Sequence, residues 1–267
     1  MSFAFLDGVL RGDELPHNRD VFWIAKHGDD IIGTGHVTQS LKDVTLGGLG
    51  EVAVHPNYRG LGVAKKLCQN ALDWFEKHHG TAIFLGTSNA AAGRLYASLG
   101  WEKIPNSAVM LRTNIDIAVW NSDYYQYDSN DFRILDGSAS DRVGMIPLVL
   151  SPNRKDPLDG NIPLRSVTHA KQLSCMGLYP KYETLCRTGT GGWFSIYGGN
   201  KLFGLISWKN EETQTITVDG FIHKNATGMS DFFINESLAR LRKKNPQQII
   251  VRTKISADET STTEIVK

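Results

Sequence analysis

The chain has 267 residues, 41% of them hydrophobic and 21% charged, and its 29 Lys plus Arg against 28 Asp plus Glu leave a net charge of +1. These proportions suit a globular protein of one large or two small domains, and each half is neutral (11 basic against 11 acidic up to Ile115, 18 against 17 after it), which argues against nucleic acid or an anionic membrane as principal partner. Three cysteines, Cys68, Cys175 and Cys186, are too few and too scattered for a disulfide framework or a metal site, and no signal peptide or membrane-length apolar run stands in the sequence, so a reducing cytoplasm is the expected compartment.

In chain order, Phe3 to Leu10 predicts a short helix and Gly12 to Asp20 is turn-like. Val21 to Ala25 and Ile31 to Thr38 predict two strands joined by the turn His27-Gly28-Asp29-Asp30. Leu41 to Gly50 reads as a glycine-rich connection and Val52 to Val54 as a third strand. Leu61 to His78 predicts a helix, because Ala64, Leu67, Cys68, Ala71, Leu72 and Phe75 recur at helical spacing, and Gly80 stands where a C-cap glycine belongs. Thr81 to Leu85 is a short buried strand. Ser88 or Asn89 caps a second helix that runs to Leu99 and stops at Gly100. Trp101 to Ile104 and Val109 to Arg112 close the series as a strand pair. The order ββ-β-α-β-α-ββ is that of an α/β (α+β) mixed sheet with helices against it.

The stretch Glu51 to Ala64 carries the chemistry. A strand runs into a polar turn holding Arg59, Gly60, Leu61 and Gly62, and a long helix begins at Val63 and Ala64. The first amides of a helix have no intrahelical partner, and the macrodipole adds partial positive charge there. Two glycines let a phosphate approach the backbone closely, and Arg59 adds a charge-assisted contact. The pattern is not the dinucleotide fingerprint, because Lys65 stands where a third glycine would be needed. Further on, Asn89, Ala92 or Gly93, and Tyr96 recur at helical spacing on one predicted face. A mid-helix glycine costs about 1 kcal/mol relative to alanine, so close approach of a ligand would explain Gly93.

Val-x-Val-His-Pro-x-Tyr-Arg-Gly-x-Gly-x-Ala at Val52–Ala64, followed one helix and one strand later by Asn89 through Leu95-Tyr96 to Gly100-Trp101, resembles the signature of the GNAT superfamily of acyl-CoA-dependent N-acyltransferases. The resemblance covers roughly residues 21–112. It implies that the nest Arg59–Ala64 takes the pyrophosphate of acetyl-CoA, and that the edge of Val52, Ala53 and Val54 pairs with pantetheine. A backbone N–H at Val54 or a neighbour would then face the thioester oxygen. It further implies that Tyr96 protonates the departing thiolate and that Glu51, in an acidic family position, relays a proton from the amine through water. An ordinary surface glutamate is the competing reading of Glu51. His55 reads as a turn residue, and His36 is a weak candidate for the acceptor side. No metal is implied.

The second half repeats the first faintly. Trp193–Trp208 aligns with Phe22–Val37 without a gap, bringing Gly199 under Gly28 and Gly204 under Gly33, and His223–Gly228 lies under His55–Gly60. A helix, Phe232 to Lys244, and a strand, Ile249 to Thr253, follow in register. In this copy Thr227 replaces Arg59, Ser230 replaces Gly62 and Phe232 replaces Ala64, so the nest is spoiled. The expected organisation is a catalytic GNAT-like domain over 1–115, a connector over 116–130 with the cluster Tyr124, Tyr125 and Tyr127, and a degenerate GNAT-like domain over 131–267. The second domain opens with Phe132 to Leu135, a helix from Ser138 to Leu150 and a long segment from Ser151 to Gly192.

The first copy has little room for the opening helices that wall the acceptor site in the family. Either its cleft is open or residues 116–267 supply a wall, and the pseudo-copy is also a candidate surface for homodimerisation or acceptor docking. Two functions follow. One is an N-acetyltransferase moving acetyl from acetyl-CoA to a primary amine, small-molecule or peptide, by direct attack, since no cysteine lies in either motif block. The other is a non-catalytic acyl-CoA-binding module.

Overall fold

The computed structural model describes residues 4–105, 107–127, 131–150, 159–162, 164, 178–212, 215–244, 250–255 and 264–265. Helix α1 (Ala4–Arg11) precedes the hairpin β1 (Asn18–His27) and β2 (Asp30–Ser40). Then come β3 (Leu46–Val54), a 3-10 turn (Pro56–Tyr58), α2 (Val63–Lys77), β4 (Ala82–Gly86), α3 (Ala90–Ala97), β5 (Glu102–Lys103), β6 (Val109–Thr113) and α4 (Ile117–Asp123). The second half contributes β7 (Phe132–Asp136), α5 (Asp141–Leu150), α6 (Tyr179–Arg187), β8 (Gly191–Gly198), β9 (Lys201–Glu212), β10 (Thr215–Ile222), a 3-10 turn (Lys224–Met229), α7 (Ser230–Lys244), β11 (Ile250–Ile255) and β12 (Glu264–Ile265). Among the described residues, no helix is long and apolar enough to cross a membrane.

Two six-stranded mixed sheets result, ordered β1-β2-β3-β4-β6-β5 and β12-β11-β10-β9-β8-β7. On one side of the first sheet α2 packs its predicted apolar stripe (Leu67, Cys68, Ala71, Leu72, Phe75) against Val37, Leu49 and Ile83. On the other side, α5 lies between the sheets and touches β2, β3 and β9. A single hydrophobic cluster there joins Leu46, Phe84 and Leu111 of the first sheet to Val143, Leu148, Phe203 and Leu205 of the second half. Helix α5 of the second half thus covers part of this face of the first sheet.

Several expectations are corrected. The second half of the glycine-rich connection Leu41–Gly50 is strand, since β3 starts at Leu46. Three glycines hide a strand from propensity alone. Gly80 is not the left-handed C-cap: His79 takes φ +69°, while Gly80 bonds Phe75 O (2.9 Å) and leaves room for that ring, which a Cβ would strike at 2.3 Å. Along the expected connector, the described residues 116–127 pack against both halves. Asp116 caps α4, Trp120, Tyr124 and Tyr125 are buried, Tyr124 OH donates to Asp43 Oδ2 (2.8 Å), and Tyr125 stacks on His223 with centroids 3.9 Å apart. Cys175, most of 151–177 and the start of the predicted strand at Ile249 lie outside the described residues.

The two halves share local devices. Gly28 and Gly199 turn their hairpins with φ +59°, and each hairpin shifts register at the aligned step, Ala25/Lys26 and Ile196/Tyr197. His55 and His223 each accept the amide two residues on at Nδ1 (3.3 and 3.2 Å).

One buried cation fastens the halves. Arg142 of α5, 1% exposed, donates from Nη2 to Asp20 Oδ1 (2.7 Å), Asp20 Oδ2 (2.9 Å) and Thr38 Oγ1 (2.6 Å). Its Nη1 lies 2.8 Å from Glu14 Oε2 as an ion pair lacking hydrogen-bond alignment. Asp20 also meets His36 Nε2 at 2.8 Å. Burial pushes the Asp20 carboxyl up, but the His36 hydrogen bond and the Arg142 charge outweigh it, and the net shift is downward. Glu14 goes the other way, because burial exceeds the help from Arg142. Within the second half, buried Asp141 accepts Trp193 Nε1 (2.8 Å), Ser195 Oγ (2.5 Å) and Tyr197 OH (2.6 Å). Asp159 accepts Tyr182 OH and Ser207 Oγ, both at 2.9 Å; burial first, then the Asp219 charge, push its carboxyl up to about 7.

Arg142→Met leaves two buried carboxylates without their cation and should cost about 3–5 kcal/mol, read as a lower urea midpoint at pH 7. For Asp159 the folded state holds the proton more tightly than the unfolded chain. Its contribution to stability is therefore full below about pH 4 and is lost as pH rises to about 7. Over that window wild type should lose on the order of 4 kcal/mol relative to Asp159→Asn, measured as the difference between their stability–pH curves.

Candidate functional site

The site begins with one extra residue. β2 and β3 pair Gly33 with Val54, Thr34 with Ala53, and then His36 with Gly50, so Glu51 and Val52 together oppose Gly35. This is a β-bulge, which bends a strand and increases its twist. Glu51 carries the bend at φ +51°, and Thr34 Oγ1 donates to its carbonyl (2.9 Å). The consequence falls on the other neighbour. β3 pairs with β4 only at Leu46–Ala82, Gly47–Ile83 and Gly48–Phe84. β4 then continues along β6 to Gly86, so Leu49–Val54 diverges from it and a wedge opens between adjacent strands.

Among the described residues the second sheet has no such wedge. β9 and β10 pass the aligned position without a bulge, and β10 pairs with β11 from Thr215–Ile250 through Gly220–Ile255.

Beyond the wedge, Arg59 Nε donates to Val54 O (3.2 Å), and Gly60 and Gly62 take φ +78° and +80°. This left-handed region favours glycine, and a Cβ on either would meet nothing within 4 Å. Gly62 is the N-cap of α2 without a side-chain hydrogen bond, so Val63 and Ala64 open the helix uncapped by any side chain. Two left-handed residues leading to an uncapped helix start form an anion-receiving concavity. Leu61 between them is exposed. In the second half Ser230 is right-handed (φ −56°), and a six-residue 3-10 turn replaces the two-glycine turn.

The expected common face of Asn89, Gly93 and Tyr96 is divided. Asn89 Oδ1 caps α3 through the amides of Ala91 (2.9 Å) and Ala92 (3.2 Å). Asn89, Gly93 and Ala97 line a cleft of about 1220 Å³ between α3 and β5–β6, with Arg94, Lys103 and Met110. Tyr96 turns away from it, is buried with Leu85 and Cys68, and meets Trp101 edge to face (5.9 Å). The divergence follows from helix geometry: positions 89, 93 and 97 drift round one side, while Ala92, Tyr96 and Leu99 keep to the core. None of Glu51–Ala64 lines this cleft; Gly60, Leu61 and Gly62 of the nest are exposed, and Val52 and Val54 beside the wedge are half-buried.

Two features were not foreseen: the Arg142–Asp20–His36 knot, and the exposure of Phe22 and Ile24 beside the wedge. Part of the second was visible, because Asp20 to Ala25 puts apolar residues on both faces of a strand at the sheet edge.

Residues 5–101 match the acetyltransferase (GNAT) family. The chain is 33% identical over 85 residues to N-acetylaspartate synthetase of Xenopus tropicalis, covering 31% of each chain. It is 42% identical over 66 residues to N-alpha-acetyltransferase 30 of Saccharomyces cerevisiae, covering 24% of this chain and 38% of that one. It therefore spans about a third of the length of the curated relatives it matches. Among solved structures, a GNAT-family acetyltransferase from Staphylococcus aureus is similar at 19% identity and TM-score 0.36, over 42% of this chain and 80% of that one. The first half is thus GNAT-like, an α/β fold on a mixed sheet.

Glu51→Gly should relieve about 1–2 kcal/mol of left-handed strain and lose about 0.5–1 kcal/mol of that to chain entropy. A small net gain in stability is expected by thermal melting.

Proposed function

We propose that the first half binds acetyl-CoA and transfers its acetyl group to a primary amine by direct attack in a ternary complex. The observation that carries this reading is the wedge at Glu51 leading directly into the left-handed nest at Gly60–Gly62. The nest amides and Arg59 suit the pyrophosphate, and the edge of Val52, Ala53 and Val54 that has parted from β4 suits the pantetheine amides as an added strand. A thioester held there supplies an acyl carbon that a neutral amine attacks, forming C–N as C–S breaks. Glu51 takes, through water, the proton that an ammonium must lose to become the nucleophile. A strand amide near Val54 stabilises the developing oxyanion. Tyr96 hands its proton to the departing sulfur and regains one from solvent as the new amide nitrogen loses its second proton.

The second half is read as a degenerate copy without a coenzyme site. The matched turns and bulges support a copy, and the closed β10–β11 pairing and Ser230 in place of Gly62 support its degeneracy. The protein is expected to act in the cytoplasm.

The burial of Tyr96 favours one rival, a non-catalytic acyl-CoA-binding module. One experiment separates them. Wild type should bind one acetyl-CoA per chain in calorimetry and release thiol with an amine panel. Tyr96→Phe should keep the affinity and lose about 10²–10⁴ in kcat, and Gly62→Glu should abolish binding. Binding without turnover on any amine would leave only the module, and unchanged affinity in Gly62→Glu would displace the pyrophosphate from the nest.

A further inference from the structure

The floor beside the wedge is bare in the first half and covered in the second. Two rows of cross-strand neighbours make it: Phe22–His36–Gly50 and Ile24–Thr34–Ala53. They share the face of β1 and β2 on which Asp20 and Thr38 meet Arg142, whereas Val21 and Trp23 pack on the α2 side. Cover from α5 stops short of them. Ile24 is 55% and Phe22 37% exposed, Ala53 is exposed, and a Cβ on Gly50 would meet nothing within 4 Å.

The counterpart rows in register are Trp193–Ser207–Asp219 and Ser195–Leu205–Phe221, all buried. A stretch of the protein's own chain lies on them. Gly160 N donates to Asp219 Oδ2 (2.7 Å), and a Cβ on Gly160 would crowd that oxygen at 2.9 Å. Asn161 Nδ2 donates to Ser207 Oγ (3.0 Å) and Thr217 O (3.0 Å). Tyr182 and Tyr179 of α6 cover Trp193, the counterpart of Phe22, with centroids 5.6 and 6.2 Å away. The covered floor therefore holds polypeptide, with a backbone N–H on a carboxylate of the third strand and side-chain rings on the aromatic of the first.

The charge on the bare floor is already committed. Arg142 is buried on Asp20, Glu14 and Thr38, and His36 is bonded to Asp20 beneath the Phe22 ring, stacked at 4.2 Å. Its exposed side chains, Phe22, Ile24 and Ala53, are apolar.

Resting on the acetyltransferase reading, we infer that the amine acceptor is the free N-terminus of a peptide whose first residues are apolar. Its side chain lies on Phe22 and Ile24, and its amine reaches Glu51 at the bulge. Glu51 accepts the ammonium proton through water, the nitrogen lone pair takes the acetyl carbon, and the C–S electrons leave with the sulfur, which is protonated by Tyr96; the new amide nitrogen gives its second proton to solvent, from which Tyr96 regains one.

The test uses the full chain with acetyl-CoA and three probes: tetrapeptides with free N-termini beginning with Leu or with Asp, and free aspartate. Leu-first peptide should be acetylated with kcat/KM at least about tenfold above either acidic probe. Ile24→Ser, a change at an exposed position, should lower kcat/KM for that peptide about tenfold, mainly through KM, with acetyl-CoA affinity in calorimetry unchanged. If acetyl-CoA binds but aspartate is turned over as well as the Leu-first peptide, or Ile24→Ser acts on both alike, the inference fails while the acetyltransferase reading stands. If acetyl-CoA does not bind, both fall.

Discussion

The candidate site depends on a one-residue excess in β3. Without Glu51 as an extra residue, β3 would stay in register with β2 and parallel to β4, as β10 does with β11 through Gly220. With it, the strand bends, three backbone pairs hold β3 to β4, and the remaining edge separates. A parallel pair parts at the cost of its ladder hydrogen bonds. Here that cost is confined to one short edge at the end of a sheet whose centre is packed on both faces. The same bend aims Val54 and its successors at the turn where Gly60 and Gly62 expose helix amides.

The second half is a structural partner of the first, sharing one hydrophobic cluster with it. Helix α5 covers part of the first sheet, and the Arg142–Asp20–His36 knot lies between them. Buried ion pairs are weak evidence of net stability, since desolvation offsets much of the attraction. Their effect is on specificity: Arg142 has a low-energy place only where Asp20 and Glu14 are presented together, and this fixes α5 against β1 and β2. Because α5 is held at that level, Phe22 and Ile24 beyond it stay uncovered. Docking of the halves and exposure of the floor are two results of one placement.

Much of the fold was legible. The α2 stripe, the β1–β2 hairpin with Gly28 and the capped start of α3 all follow from local periodicity and turn chemistry, which short-range sequence encodes directly. β3 was half missed, because glycines at 47, 48 and 50 read as loop and their strand conformation is imposed by neighbours on both sides. Gly80 was placed correctly as a stop signal and wrongly explained: Phe75 needs its missing side chain, while His79 supplies the left-handed turn. The division of α3 into a cleft side with Gly93 and a core side with Tyr96 depends on how the helix is rotated on the sheet, and an eight-residue helix does not declare that rotation.

By itself, the sequence determined that a strand, a two-glycine turn and an uncapped helix start follow one another at Glu51–Ala64, since φ preferences and helix-end chemistry are properties of adjacent residues. It also determined that the aligned stretch at His223–Phe232 keeps Gly228 under Gly60 but has Thr227 for Arg59 and Ser230 for Gly62. Only the tertiary structure decided that Glu51 is a bulge, that β3 leaves β4 after Gly48, and that Arg142, more than a hundred residues away, closes on Asp20. Register, strand divergence and buried charge pairing are relations between distant segments, settled by which arrangement buries the apolar faces and leaves no ion without a partner.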